Sequence, residues 1–97
     1  MIKAQLVIRD RVVFDDGAIQ EIVIWQVPSP VHSSDHVFKY SLFYGYPGRR
    51  LVGYDNERGK GDHKHIDGKE APYTFSSIEK LIDYFMADID AIRGEET

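Results

Sequence analysis

Two turn signals, Asp16-Gly17 and Pro47-Gly48, stand between segments whose apolar residues recur at every second position, and that arrangement leaves few folds open. Gly accepts positive φ without steric cost and Pro pre-sets the first turn angle, so both dipeptides reverse the chain tightly and set their flanking strands antiparallel. Ahead of the first turn, Ile2, Ala4, Leu6 and Ile8 alternate with Lys3, Gln5, Val7 and Arg9, the period of a strand with one covered face. Asp10-Arg11 is a poor turn signal, so the boundary before Val12-Val13-Phe14 stays open. Residues 11–15 are expected to pair with 18–27 across a type I′ turn at Asp16-Gly17. The second arm sets Ile22 and Ile24 on one face and Val23, Trp25 and Val27 on the other, so it reads as a central strand, ended by Pro28 and Pro30. A loop over 28–36 brings in His32 and His36. Residues 37–46 then place Phe38, Tyr40, Leu42 and Tyr44 on one face, and 49–55 return after Pro47-Gly48. A short sixth strand is expected over 62–66, and Tyr73-Thr74-Phe75 reads as an extended lead-in to the C-terminal segment.

That segment has the marks of a helix. Ser76-Ser77-Ile78-Glu79 has the form of a capping box with Ser76 as cap and Glu79 three residues on. Ile78, Leu81, Ile82, Phe85, Ile89 and Ile92 make one apolar stripe, with Glu79, Asp83, Asp88 and Asp90 largely outside it, and Arg93-Gly94 suits an ending. That stripe needs a partner, and the only large apolar surface available is a face of the sheet. The expected fold is α+β: an antiparallel sheet of five to six strands in two hairpins, 2–27 and 37–55, with a C-terminal helix of about residues 77–93 packed on one face, all within a single domain over 1–97. A more closed, barrel-like sheet is the alternative. A hydrophobic fraction of 42% with 29% charged residues is globular composition, and no apolar run approaches 18 residues, so the expectation is a soluble cytoplasmic protein with no membrane association. The absence of cysteine removes disulfides and thiolate chemistry.

The chemistry concentrates in residues 54–67, which run Tyr-Asp-Asn-Glu-Arg-Gly-Lys-Gly-Asp-His-Lys-His-Ile-Asp. With almost no aliphatic residue nearby, His63 and His65 read as exposed loop histidines. In extended backbone, residues at i and i+2 face the same way, about 6–7 Å apart at Cα, whereas a helix would splay them by about 200°. Residues 49–69 hold six Lys/Arg against four Asp/Glu, while 76–97 hold two against six, although the whole chain is at −4. An anionic substrate therefore suits the histidine end. Cleavage of RNA needs a base for the 2′-OH, an acid for the leaving 5′ oxygen and a cation for the phosphorane. His63 and His65 can fill the first two roles, with Lys60 as the cation and Tyr54 beside them as a further catalytic candidate. Arg58, Lys64, Tyr73 and Asn56 are then the candidate substrate contacts, Tyr54 and Tyr73 offering rings for an unstacked base. No cofactor and no metal is expected on this reading. A mixed site of His63, His65 and Asp67 is the metal-dependent alternative. Should the histidines prove idle, Tyr54, Lys39 and His36 come next.

The order His36-Val37-Phe38-Lys39-Tyr40, Gly53-Tyr54-Asp55-Asn56-Glu57, Lys60-Gly61-Asp62-His63-Lys64-His65 and Pro72-Tyr73-Thr74-Phe75 before a terminal helix resembles the TumE-like toxins of type II toxin–antitoxin systems, over nearly the whole chain. The resemblance implies a small α+β fold, ribonuclease activity on RNA and a helix-turn-helix antitoxin as partner, with self-association left open. A non-catalytic member that only binds its antitoxin, through the acidic helix and exposed aromatics, is the competing expectation.

Overall fold

A computed structural model describes residues 3–95 apart from residue 58, with the side chain of residue 95 not described. Strands β1 (Gln5–Val13), β2 (Ile19–Gln26), β3 (Phe38–Tyr46), β4 (Arg49–Asp55), β5 (His63–Ile66) and β6 (Lys69–Pro72) precede one helix, α1 (Ile78–Glu95). The six strands form one open sheet in chain order, every neighbour antiparallel. The hairpin meander is the expected one, and the sheet is not barrel-like. Residues 5–13 are a single strand with a bulge between Leu6 and Ile8, so Asp10-Arg11 is no boundary. Tyr73-Thr74-Phe75 leads from β6 toward α1, and the strand pairing just before it, through β6, is additional to expectation.

The first turn differs in kind from expectation. There, only Gly17 has positive φ (88°), Gly17 N–H donates to the Phe14 carbonyl and Phe14 N–H to that of Ala18. This is a three-residue loop closed by a left-handed glycine, not a type I′ turn. The type I′ pattern falls instead at Asp67-Gly68, where both residues have positive φ (46° and 84°), and it creates β6. Pro47-Gly48 turns as expected, Gly48 taking φ 78°.

The helix starts one residue later than the capping-box reading has it. Lys80 N–H donates to Ser77 Oγ at 3.1 Å, so Ser77 is the cap and the third helical position holds Lys80 rather than Glu79. The apolar stripe packs against the β4 region: Leu81, Phe85 and Ile89 meet Tyr40, Leu42, Tyr44, Val52 and Tyr54, all fully or almost fully buried. Each such side chain contributes roughly 1.5–3 kcal/mol on leaving water. Asp88 does not belong to the exposed acidic face; it is half-buried and accepts the Tyr54 hydroxyl. At the far end Arg93 lies 4.0 Å over the Phe14 ring and donates to Tyr44 Oη at 2.9 Å, tying the helix to the first hairpin. Among the described residues no helix is long and apolar enough to cross a membrane.

Register divides the sheet into two faces. Opposed residues of an antiparallel pair share a face, so Ile24–Tyr40 and Ile22–Leu42–Tyr54 line the helix side. The other side carries two rows, Arg9–Val23–Ser41–Asp55–His63–Pro72 and Arg11–Glu21–Phe43–Gly53–His65–Glu70.

Candidate active site

The backbone of β5 is extended from residue 63, so His63 and His65 face the same way, their ring centroids 5.0 Å apart and edge-to-face. They are unlike in their surroundings. His63 is buried at 5% exposure: Nδ1 lies 3.1 Å from the Gly61 carbonyl oxygen, and Nε2 lies 2.6 Å from Asp55 Oδ1 and 4.0 Å from Glu70 Oε1. Two acceptors thus flank one ring, and only the form with a proton on both nitrogens donates to both. The Asp55 contact is close but not aligned as a hydrogen bond, and Oδ1 is buried with no hydrogen-bond partner among the described residues. This corrects the picture of two exposed loop histidines: removing His63 would leave the Gly61 carbonyl without its side-chain partner, at a cost of about 1–3 kcal/mol, and would empty a buried place beside Asp55. His65 is half-buried, and that partial burial, with the Arg50 guanidinium nearby, holds its ring below the ordinary histidine range.

Arg50 reaches this face because of a bulge. Tyr44 pairs with Val52 but Gly45 pairs with Arg50, so Leu51 is an extra residue in β4. Leu51 and Val52 both turn to the helix side, and Arg50 emerges beside the histidines, its Nη1 3.9 Å from Asp55 Oδ2. Its stem lies across Gly53, where a Cβ would stand 2.7 Å from Arg50 Cδ. Gly45 opposite the bulge is equally constrained, since a Cβ there would sit 2.1 Å from the Arg49 carbonyl oxygen.

The remaining residues singled out in the sequence lie elsewhere. Tyr54 is 1% exposed on the helix face, its ring edge-on to Tyr73 and Phe85. Burial and the hydrogen bond to Asp88 push its hydroxyl well above the ordinary tyrosine range. Tyr73 packs beside it on that side. Lys64, opposite Tyr54, shares the helix face, its Nζ 6.0 Å from the Tyr54 ring centre. Lys60 pairs with Glu57 at 3.5 Å in the turn before β5. Arg58 lies outside the described residues. Asp67 serves the type I′ turn and meets Arg49 at 3.8 Å, with its side chain exposed. The carboxylate that joins the two histidines is Asp55, so a metal reading through Asp67 does not hold.

Asn56, Asp62 and His36 form a polar lock behind the site. Asn56, 1% exposed, accepts from Tyr40 N–H and donates to the Phe38 carbonyl and Ser34 Oγ. Asp62 accepts from Ser34 Oγ, His36 Nε2 and Tyr40 Oη at 2.6–2.7 Å. Because His36 Nδ1 accepts from Phe38 N–H, its proton sits on Nε2, where Asp62 takes it. His36 also stacks on Phe75 at 3.9 Å between centroids. The lock fixes residues 61–62 against β3, and with them the entry of His63 into β5.

The blocks that meet here, His36-Val-Phe-Lys-Tyr40, Tyr54-Asp-Asn56, Gly61-Asp-His-Lys-His65 and Pro72-Tyr-Thr-Phe75, lie within a match to the family model described as Toxin TumE, which extends over residues 2–93. The chain belongs to the TumE toxin family. Comparison with curated proteins and with solved structures finds no match. In this TumE chain the family-like blocks divide by physical role: the His36, Asn56, Asp62 and Phe75 positions build the lock, whereas Asp55, His63 and His65 form the histidine–carboxylate cluster.

The lock carries a pH signature. Burial works to raise the Asp62 carboxyl, but the hydrogen bonds from Ser34, His36 and Tyr40 outweigh it and hold it below its ordinary value. A carboxyl lowered on folding stabilises above its unfolded value, about 3.9, and that stabilisation is lost as pH falls through the lower folded value. Asp62→Asn is therefore expected to be less stable than the parent at pH 7, with the gap narrowing in strong acid. Denaturant unfolding at both pH values checks this, and an unchanged gap would contradict it.

Three residues of the cluster escape a reading of the sequence alone. Asp55 requires the β4–β5 register, Arg50 requires the bulge, and Glu70 requires β6. The signal for the last is present as Asp67-Gly68.

Proposed function

We propose that this TumE-family chain is a ribonuclease that cleaves single-stranded RNA by proton transfer, and that its partner is a helix-turn-helix antitoxin. The observation that carries this reading is the meeting of His63, His65 and Arg50 on the sheet face that the helix leaves uncovered. His65, its ring kept neutral, takes the proton of a ribose 2′-OH. The 2′ oxygen bonds to the adjacent phosphorus as the bond from phosphorus to the 5′ oxygen breaks. His63, set between the Gly61 carbonyl and Asp55, supplies a proton to the leaving 5′ oxygen, and Arg50 offsets the charge on the phosphorane. The products are a 2′,3′-cyclic phosphate and a 5′-hydroxyl end.

The same face offers a strand of RNA its grip. Trp25 and Phe43 are half-buried there, Arg9 lies 5.9 Å over the Trp25 ring, and Lys39 stands opposite Trp25 in register. Stacked bases with cations along the backbone are the usual means of holding single strands. The antitoxin is assigned to the opposite side, where Glu79, Asp83 and Asp90 are exposed on α1 and suit a basic surface.

Two oligoribonucleotides test the reading, identical except for one 2′-deoxy sugar at the cleaved step. Cutting of the ribose strand alone is expected. Equal cutting of both refutes attack by the 2′ oxygen, and failure to cut either, by a chain that still binds its antitoxin, refutes ribonuclease activity.

A further inference from the structure

The geometry points to a transition-metal site at Asp55, His63 and His65, and to silencing of the proton-transfer site when an ion of the Zn²⁺ class occupies it. One donor atom from each residue lies within 4.8 Å of the others. Donors around a four-coordinate zinc ion stand roughly 3.3 Å apart, given bonds of about 2.0–2.1 Å, so small side-chain rotations close the set.

Three further features favour a metal over a chance cluster. Asp55 Oδ1 is buried, has no hydrogen-bond partner among the described residues and faces His63 Nε2 at 2.6 Å. Two atoms this close need a proton or a cation between them, and a metal ion can stand where a proton otherwise would. His63 is also oriented as ligating histidines usually are, with Nδ1 against the Gly61 carbonyl and Nε2 presented to the site. Finally, all three side chains stand on paired strands, Asp55 directly opposite His63 and His65 two positions along the same face, so the donors are held by the sheet rather than by a loop. Two imidazoles and one carboxylate leave a position open to water and suit Zn²⁺, Co²⁺ or Ni²⁺ rather than Mg²⁺ or Ca²⁺, which prefer oxygen.

The silencing half rests on the function proposed above. An ion held by His63 and His65 occupies the ring nitrogens that move protons in that reaction. The inference is thus inhibition by metal of a reaction that does not require one.

Calorimetric titration of the metal-free chain with ZnSO₄, and the visible spectrum of Co²⁺ added instead, read binding without reference to activity. One ion per chain is expected. His65→Gln and Asp55→Asn should each weaken binding at least about 100-fold, since loss of even an outer partner of a metal ligand commonly costs 10–100-fold. Asp67→Asn should bind as the parent does. Equal affinity of the parent and both variants overturns the site. Where RNA is cleaved, one equivalent of Zn²⁺ should slow cleavage at least about tenfold and EDTA should restore it; acceleration by Zn²⁺ overturns the silencing. A chain that binds Zn²⁺ through these residues but cleaves no RNA refutes the proposed function and leaves the metal site standing.

Discussion

His65→Ala is expected to lower RNA cleavage by about 10²–10⁴-fold while leaving the fold in place, because a positioned proton-transfer group is worth that much in rate. Half-buried on β5, His65 touches the edge of the His63 ring and has no part in the Asp62 lock, so its loss opens no void in the core. Its partner would not give so clean a result. His63→Ala removes a buried ring between two acceptors and mixes a folding defect with a catalytic one. Single-turnover cleavage with a parallel denaturant melt separates the two. A His65→Ala protein that folds as the parent does and cuts at the parent's rate would remove His65 from the reaction.

Arg50→Ala is expected to cost about 10²–10³-fold in rate, the size of effect seen when one preorganised donor to a developing anion is removed. Arg50 is held in place by what it covers and what it meets: the bare backbone of Gly53 beneath its stem and Asp55 Oδ2 at 3.9 Å from its guanidinium. Arg50→Lys tests whether charge alone suffices, since an ammonium lacks the planar fork of donors. A role confined to binding RNA would raise KM and spare kcat, so the loss should appear mainly in kcat. An unchanged kcat in Arg50→Ala would reassign the cation role.

Strand existence, the central place of 19–27 and the single helix are all legible in the chain, because each rests on a period that the side chains display directly. Phe38, Tyr40, Leu42 and Tyr44 face the helix as their alternation requires, and Leu81, Phe85 and Ile89 form the seam at spacing four. The pairing of His63 with His65 is likewise legible, being a property of extended backbone alone. What alternation cannot carry is which residue stands opposite which. Asp55 and His63 are eight positions apart and become neighbours only through the register of β4 on β5, while Asp67, nearer in sequence, is taken by a turn that needs its positive φ. The burial of His63 is hidden for a related reason. A run poor in aliphatic residues looks solvated, yet Asp55 and Glu70 on the two neighbouring strands and the His65 ring close around His63, and only register brings them there. Tyr54 and Asn56, conspicuous in the sequence beside the site, are buried away from it, Tyr54 under the helix and Asn56 in the lock with Tyr40 and Phe38.

In a pleated strand, position is a two-valued code: counting by twos from any residue names the face of every other. Leu51 breaks the count once. Counted back from Asp55, Arg50 belongs with Val52 and Tyr54 under the helix; with the extra residue it belongs with His65. The histidine-bearing surface of this sheet is therefore written partly in the length of β4 and only partly in the identity of its residues. Two chains with the same His-x-His, the same aspartate and the same arginine, differing by one residue in that strand, would present different surfaces, and an aligned list of site residues would not tell them apart.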